Sequence, residues 1–132
     1  MIGSNGAVFY VLIIWRLHLN TTEINRSIIE ALEEKKAENI VLLDIHEIAS
    51  FTDYFIICTG SSDRMIDSLA DAVLETTKHK LEMPGKKEGQ ANTGWVVVDF
   101  GDIVVHLFSP DQREYYRLEQ LWEKGKILLH LQ

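Results

Sequence analysis

Between Trp95 and Phe108 the chain reads WVVVDFGDIVVHLF, two apolar runs of β-branched residues broken by Asp99-Phe100-Gly101-Asp102. Alternation puts Val96, Val98, Ile103, Val105 and Leu107 on one face, wholly apolar and therefore buried. The break is a hairpin signal. With Phe100-Gly101 as a two-residue loop, Asp99 faces Asp102, Val97 faces Val104 and Trp95 faces His106. The second face then carries Trp95, Asp99, Asp102 and His106, a polar and aromatic set at the ends of a valine stripe. One face builds the core; the other is free for another task.

Helical spacing appears elsewhere. Ile24, Ile28, Ala31 and Leu32 follow Thr21 and Thr22, either of which can cap a helix that ends near Glu38-Asn39. Ile40 to Leu43 predicts a short buried strand, Asp44 to Ser50 a connection, and Phe51 to Cys58 a second strand. Asp63 to Lys80 predicts a helix capped by Ser61 or Ser62, with Met65, Ile66, Leu69, Val73 and Leu74 inward. Leu81 to Gly94 is a loop with room for a short strand around Lys87. Ser109 caps a final helix with Pro110 at its first position. Its apolar stripe is Tyr115, Leu118, Leu121 and Trp122, and Arg113, Tyr116 and Glu119 or Gln120 form a more polar one. Gly125 ends that pattern, and Ile127 to Leu131 is a short apolar tail. The element order implies an α/β fold, a single domain with a mixed β-sheet and packed helices.

A chain of 132 residues holds one core, and 46% hydrophobic with 25% charged residues is ordinary for a globular domain. The net charge of −7 changes the picture more. Such a surface repels phosphates and argues against binding bare nucleic acid through a general field. It favours basic partners, although solubility alone explains an acidic surface as well. Cys58 is the one cysteine, so no intrachain disulfide forms; inside an apolar run it reads as a small buried hydrophobe. Ala7 to Trp15 holds nine apolar residues, short of the roughly 20 that cross a bilayer. Without a basic start or a small-residue cleavage site, residues 1–19 read as an extension outside the fold.

Candidate chemistry is sparse. Asp99-Phe100-Gly101 matches the metal-binding triplet of protein kinases, but the rest of a kinase is missing and Gly101 serves a turn. Gly60-Ser61 at a strand end, followed by Asp63 and Asp67, resembles the start of nucleotidyltransferase sites, which need carboxylates converging on two metals; but Asp63 and Asp67, four apart, are also what any solvated helix offers, and there is no lysine-bearing phosphate loop. The histidines lack metal-ligand spacing, so neither a metal nor a cofactor is expected. Ser61, Ser62 and Arg64 stand at a helix start, whose N–H groups suit an anion or a secondary contact. Trp122 reads as core and His106 as a structural histidine beside Trp95. Trp95 and Tyr116 fit partial core and contact anchor equally.

Four blocks carry a family resemblance. They are Asp53 to Arg64 (DYFIICTGSSDR), Glu88-Gly89, Trp95 to His106 (WVVVDFGDIVVH), and Arg113 to Trp122 (REYYRLEQLW). In order and spacing they resemble ribosomal silencing factor S, the Iojap family, over about Thr21 to Trp122. The resemblance implies residues 20–122 as the domain, with 1–19 and 123–132 outside the family pattern. It implies a nucleotidyltransferase-like topology without the catalytic site, and hence no enzyme. It implies binding to the large ribosomal subunit through its universal basic protein number fourteen. That contact would block joining of the small subunit and repress translation when nutrients are scarce. It further implies a homodimer when free; a bacterial cytoplasm is expected, with no membrane and no direct nucleic-acid specificity. The expected contact surface is the second hairpin face with Trp95, Asp99, Asp102 and His106, joined by Glu88, Tyr116 and Glu119. A metal-dependent nucleotidyltransferase is the alternative.

Overall fold

The computed structural model describes residues 21–132; the expected extension at 1–19 lies outside them. Residues 21–34 form helix α1, which buries Ile28, Ile29, Ala31 and Leu32. It stops before Glu38 because Lys36 turns left-handed (φ 64°) and the Ala37 N–H donates back to the Leu32 carbonyl. Strands β1 (Glu38–Asp44) and β2 (Tyr54–Thr59) follow, then helix α2 (Asp63–Leu81). Ser62 caps α2, its Oγ accepting the Met65 N–H at 3.1 Å. Next come β3 (Lys86–Gln90), a 3-10 turn at Ala91–Thr93, β4 (Trp95–Asp99) and β5 (Ile103–Phe108). Ser109 caps α3 (Pro110–Tyr116), and α4 (Leu118–Leu121) and β6 (Lys126–Leu131) complete the described chain.

The strands make one mixed six-stranded sheet in the order β3-β4-β5-β2-β1-β6, giving a single α/β domain. Only the central pair β2 and β5 is parallel. One face carries Ile40, Leu42, Ile56, Cys58, Val96, Val98, Ile103, Val105 and Leu107 against α1 and α2. These include all five hairpin residues expected inward. Burial pushes the Cys58 thiol up to about 12, which suits a packed hydrophobe and not a nucleophile. The second face is covered more thinly. Leu43, Ile45, Phe55, Ile57, Val104 and Phe108 pack with Leu118, and Trp95, Val97 and Trp122 lie along that cluster.

Three local features differ from expectation. The hairpin pairs Trp95 with Phe108, Val97 with His106 and Asp99 with Val104. The turn is centred on Gly101-Asp102 instead of Phe100-Gly101: the Phe100 N–H donates to the Ile103 carbonyl, and Asp99 Oδ1 accepts the Gly101 N–H at 2.8 Å. A slip of two leaves every side chain on its expected face. The final helix breaks at Arg117 (φ 46°), which turns Leu118 inward and leaves Tyr115 77% and Leu121 72% exposed, against the expected apolar stripe. The expected tail is strand β6, antiparallel to β1 with Val41 opposite His130 and Leu42 opposite Leu129.

Candidate functional site

Cross-strand neighbours share a face, so the ladder assigns the thinly covered side row by row. Glu88, Val97 and His106 form one row; Gln90, Trp95 and Phe108 the next; Lys86, Asp99 and Val104 the row beyond. The expected members Glu88, Trp95, Asp99 and His106 therefore do lie on one face. They divide along it, since four residues of strand put Trp95 and Asp99 about 13 Å apart.

The Trp95 end is an aromatic nest. The half-buried indole stacks on Phe108 at 5.0 Å between ring centroids and meets Tyr116 at 4.5 Å. Tyr115 packs edge-on to Tyr116 at 5.0 Å and lies fully outward. The indole N–H donates to His106 Nδ1 at 3.2 Å. His106 is 6% exposed, wedged against Phe55 at 4.5 Å, and burial lowers its pKa to about 4. It is a neutral, structural histidine. The expectation that it touches a partner directly is corrected: the ring is covered.

Glu119 sits beyond the break in the final helix and is committed inside the molecule. Arg113 holds it through Nη2 at 2.6 Å and Nε at 2.9 Å. The same guanidinium donates to the Asn39 carbonyl at 2.5 Å and Thr59 Oγ1 at 2.9 Å, tying α3 to β1 and β2. At the far end of the face, Asp99 is engaged in the turn and Asp102 is exposed. The Asp102 carbonyl accepts the Asp53 and Tyr54 N–H groups. Glu88 is exposed on the outer strand β3, 3.2 Å from Lys86.

Ser61, Ser62 and Arg64 lie at the same end of the sheet as Trp95, because the Gly60 N–H donates to the Phe108 carbonyl. They belong to the helical side, and Ser62 Oγ is already used as the α2 cap. The carboxylates of a two-metal site do not converge. Asp67 pairs with Lys87 at 3.2 Å, Asp99 and Asp102 stand at the opposite turn, and no three His, Cys, Asp or Glu side chains among the described residues cluster for a metal. No helix among them is long and apolar enough to cross a membrane.

Three contributors were absent from the sequence-derived site. Phe108 is the floor under Trp95, Arg113 anchors the helix that brings Tyr116, and Val97 is the half-buried apolar patch between Trp95 and Asp99. Alternation places Val97 and Phe108 with Trp95, so that signal was available. The reach of Arg113 to Asn39 and Thr59 has no local trace. The surface left outward joins an aromatic pair, an apolar strip and carboxylates.

The chain has relatives across bacteria and organelles. The family model described as "Ribosomal silencing factor during starvation" matches residues 18–130. Ribosomal silencing factor RsfS of Bacillus subtilis is 38% identical over 104 residues, covering 79% of this chain and 88% of that protein. A mouse relative named "Mitochondrial assembly of ribosomal large subunit protein 1" is 33% identical over 98 residues, 72% of this chain and 43% of that one. A crystal structure of a Chromobacterium violaceum protein superposes with a TM-score of 0.73 at 36% identity, covering 82% and 92% of the two chains. With the family model spanning most of the chain and relatives above one-third identity over the same fold, this protein belongs to the RsfS/Iojap family of ribosomal silencing factors.

Proposed function

We propose that this protein binds the large ribosomal subunit through that subunit's universal basic protein number fourteen and keeps the small subunit from joining. Translation is thereby repressed under nutrient limitation. The observation that carries the reading is the Trp95–Tyr116 pair standing on a thinly covered, acid-edged sheet face. Large amphipathic rings anchor protein contacts, and the carboxylates of Glu88, Asp99 and Asp102 complement a basic partner. The net charge of −7 agrees with a protein partner and not with naked RNA. The mouse relative's name, which cites the large subunit, points the same way. The working compartment is the cytoplasm, with no catalytic step and no bound cofactor. The free protein is a homodimer, with Tyr115 and Leu121 supplying apolar surface for it.

The test is sedimentation with purified large subunits and a subunit-joining assay. Wild type co-sediments with large subunits and lowers the yield of joined ribosomes. Trp95→Ala weakens binding by at least about 2 kcal/mol, mainly through faster dissociation. Circular dichroism verifies its fold. A folded Trp95→Ala protein that binds and blocks joining like wild type would place the contact elsewhere.

A further inference from the structure

Trp95 is held on more than one side. Phe108 and Tyr116 fix the plane of its ring, but stacking alone leaves open which edge of the indole points where. The hydrogen bond to His106 settles that. We propose that His106 is a positioning residue for the partner-binding face: its Nδ1 takes the indole's only N–H and so sets the edge of Trp95 that a partner meets. This rests on the reading of the Trp95 face as the ribosome contact.

The imidazole is specified for the task in three ways. It sits one row along the sheet from Trp95, opposite Val97, which brings Nδ1 within 3.2 Å of the indole nitrogen. It is packed by Phe55 at 4.5 Å, so the ring cannot swing away. Accepting at Nδ1 requires the neutral tautomer with its proton on Nε2. That Nε2 is buried and meets no acceptor among the described residues. A buried donor without an acceptor is costly. Phenylalanine would fill the same space among aromatic rings without that cost, so mere packing is a poor account of a histidine here.

The geometry also narrows the partner's chemistry. Trp95 has no donor left to give, so what meets it is an apolar side chain, an aliphatic stem or a cation over the ring face. Carbonyl and carboxylate acceptors find their donors elsewhere. The basic partner would bring the aliphatic part of a lysine or arginine, or a neighbouring apolar residue, to this ring.

His106→Phe and His106→Asn separate positioning from packing. In His106→Phe the Trp95 indole N–H resonance shifts, its proton exchanges about tenfold faster, and affinity for purified large subunits falls about tenfold. Asparagine retains an acceptor near the Nδ1 position and keeps affinity within about threefold of wild type. In a Trp95→Phe background, where no indole N–H exists, His106→Phe has no further effect on binding. The proposal is overturned if a folded His106→Phe protein keeps the wild-type indole exchange and affinity. If Trp95→Ala loses binding while His106→Phe keeps it, the positioning role falls and the surface stands. If Trp95→Ala binds like wild type, both fall. Should His106→Phe fail to fold, wild-type hydrogen exchange decides: the Trp95 indole must be protected relative to Trp122, whose indole donates to no described residue, and equal exchange overturns the proposal.

Discussion

The Arg113 guanidinium holds the Glu119 carboxylate at 2.6 Å across the left-handed residue that breaks the C-terminal helix. Arg117 could otherwise let α4 swing, because a single left-handed residue fixes direction only weakly. Arg113 also reaches Asn39 and Thr59, so one side chain locks α3, α4, β1 and β2 together. Arg113→Ala should cost about 2–3 kcal/mol, since it leaves a half-buried carboxylate without its cation and two further acceptors unmet. Glu119→Ala removes only part of the network and should cost about 1 kcal/mol. Urea denaturation of the two variants checks the ranking.

Glycines near the site give a second, paired prediction. A Cβ at Gly94 (φ 82°) would stand 2.5 Å from Gln112 Cγ and 2.6 Å from Ser109 Oγ, at the cap of α3. Gly101 has nearly the same φ of 88° but open space around it. Gly101→Ala should cost only the backbone conformation, about 1 kcal/mol, whereas Gly94→Ala should cost clearly more and dislodge Tyr116. Thermal melts of both, with tryptophan fluorescence for the nest, separate strain from crowding.

The buried imidazole makes stability depend on pH. Unfolded, His106 titrates near 6.5; folded, it does so only near 4. Between these values the unfolded chain binds the extra proton, so stability is unaffected above about pH 6.5 and falls as pH drops toward 4. The loss attributable to His106 is on the order of 3 kcal/mol. Exposed His46 acts in the opposite sense. Its hydrogen bond to Asp44 raises its pKa, so its contribution is present at low pH and is lost as pH rises through that value. Denaturation from pH 7 to 4 in wild type and His106→Asn isolates the buried ring: the variant should show a shallower loss.

Asp99 carries charge and builds the turn. Asp99→Lys should lose about 1 kcal/mol of stability through the broken bond to Gly101, and should slow association with large subunits at low salt. Raising salt should shrink the association defect and leave the stability defect in place. Stopped-flow binding at two ionic strengths distinguishes them.

Incubation with nucleoside triphosphates and magnesium should give no turnover. Asp63 and Asp67 lie on the helical side, away from Asp99 and Asp102, and Asp67 is engaged by Lys87. Turnover abolished by Asp63→Ala would reverse this expectation.

What the sequence discloses follows from which physical signals are local. The hairpin faces were legible because alternation survives a two-residue slip; the register was not, because it depends on the Asp99 side chain closing its own turn. Caps at Ser62 and Ser109 were legible from single residues. The break at Arg117 was not, since arginine carries no left-handed signal. Strand β6 reads KILLHL, without alternation, and is specified by β1 on the other side of the chain. Trp95 and Tyr116 announced themselves as large rings. The burial of His106 depended on Phe55 and Phe108 converging from β2 and β5, a fact of tertiary structure.

The pairing of β6 with β1 sets a schedule for the chain during its own synthesis. The strand that covers the outer edge of residues 38–44 is made only when residues 126–131 have been added. The parallel partners β2 and β5 also wait for the intervening α2, β3 and β4. Until then Val41, Leu42 and Leu43 present an open, apolar strand edge, the kind of surface that recruits other chains or chaperones. Native assembly therefore waits for residues 126–131, and a chain truncated after α4 would carry that edge bare.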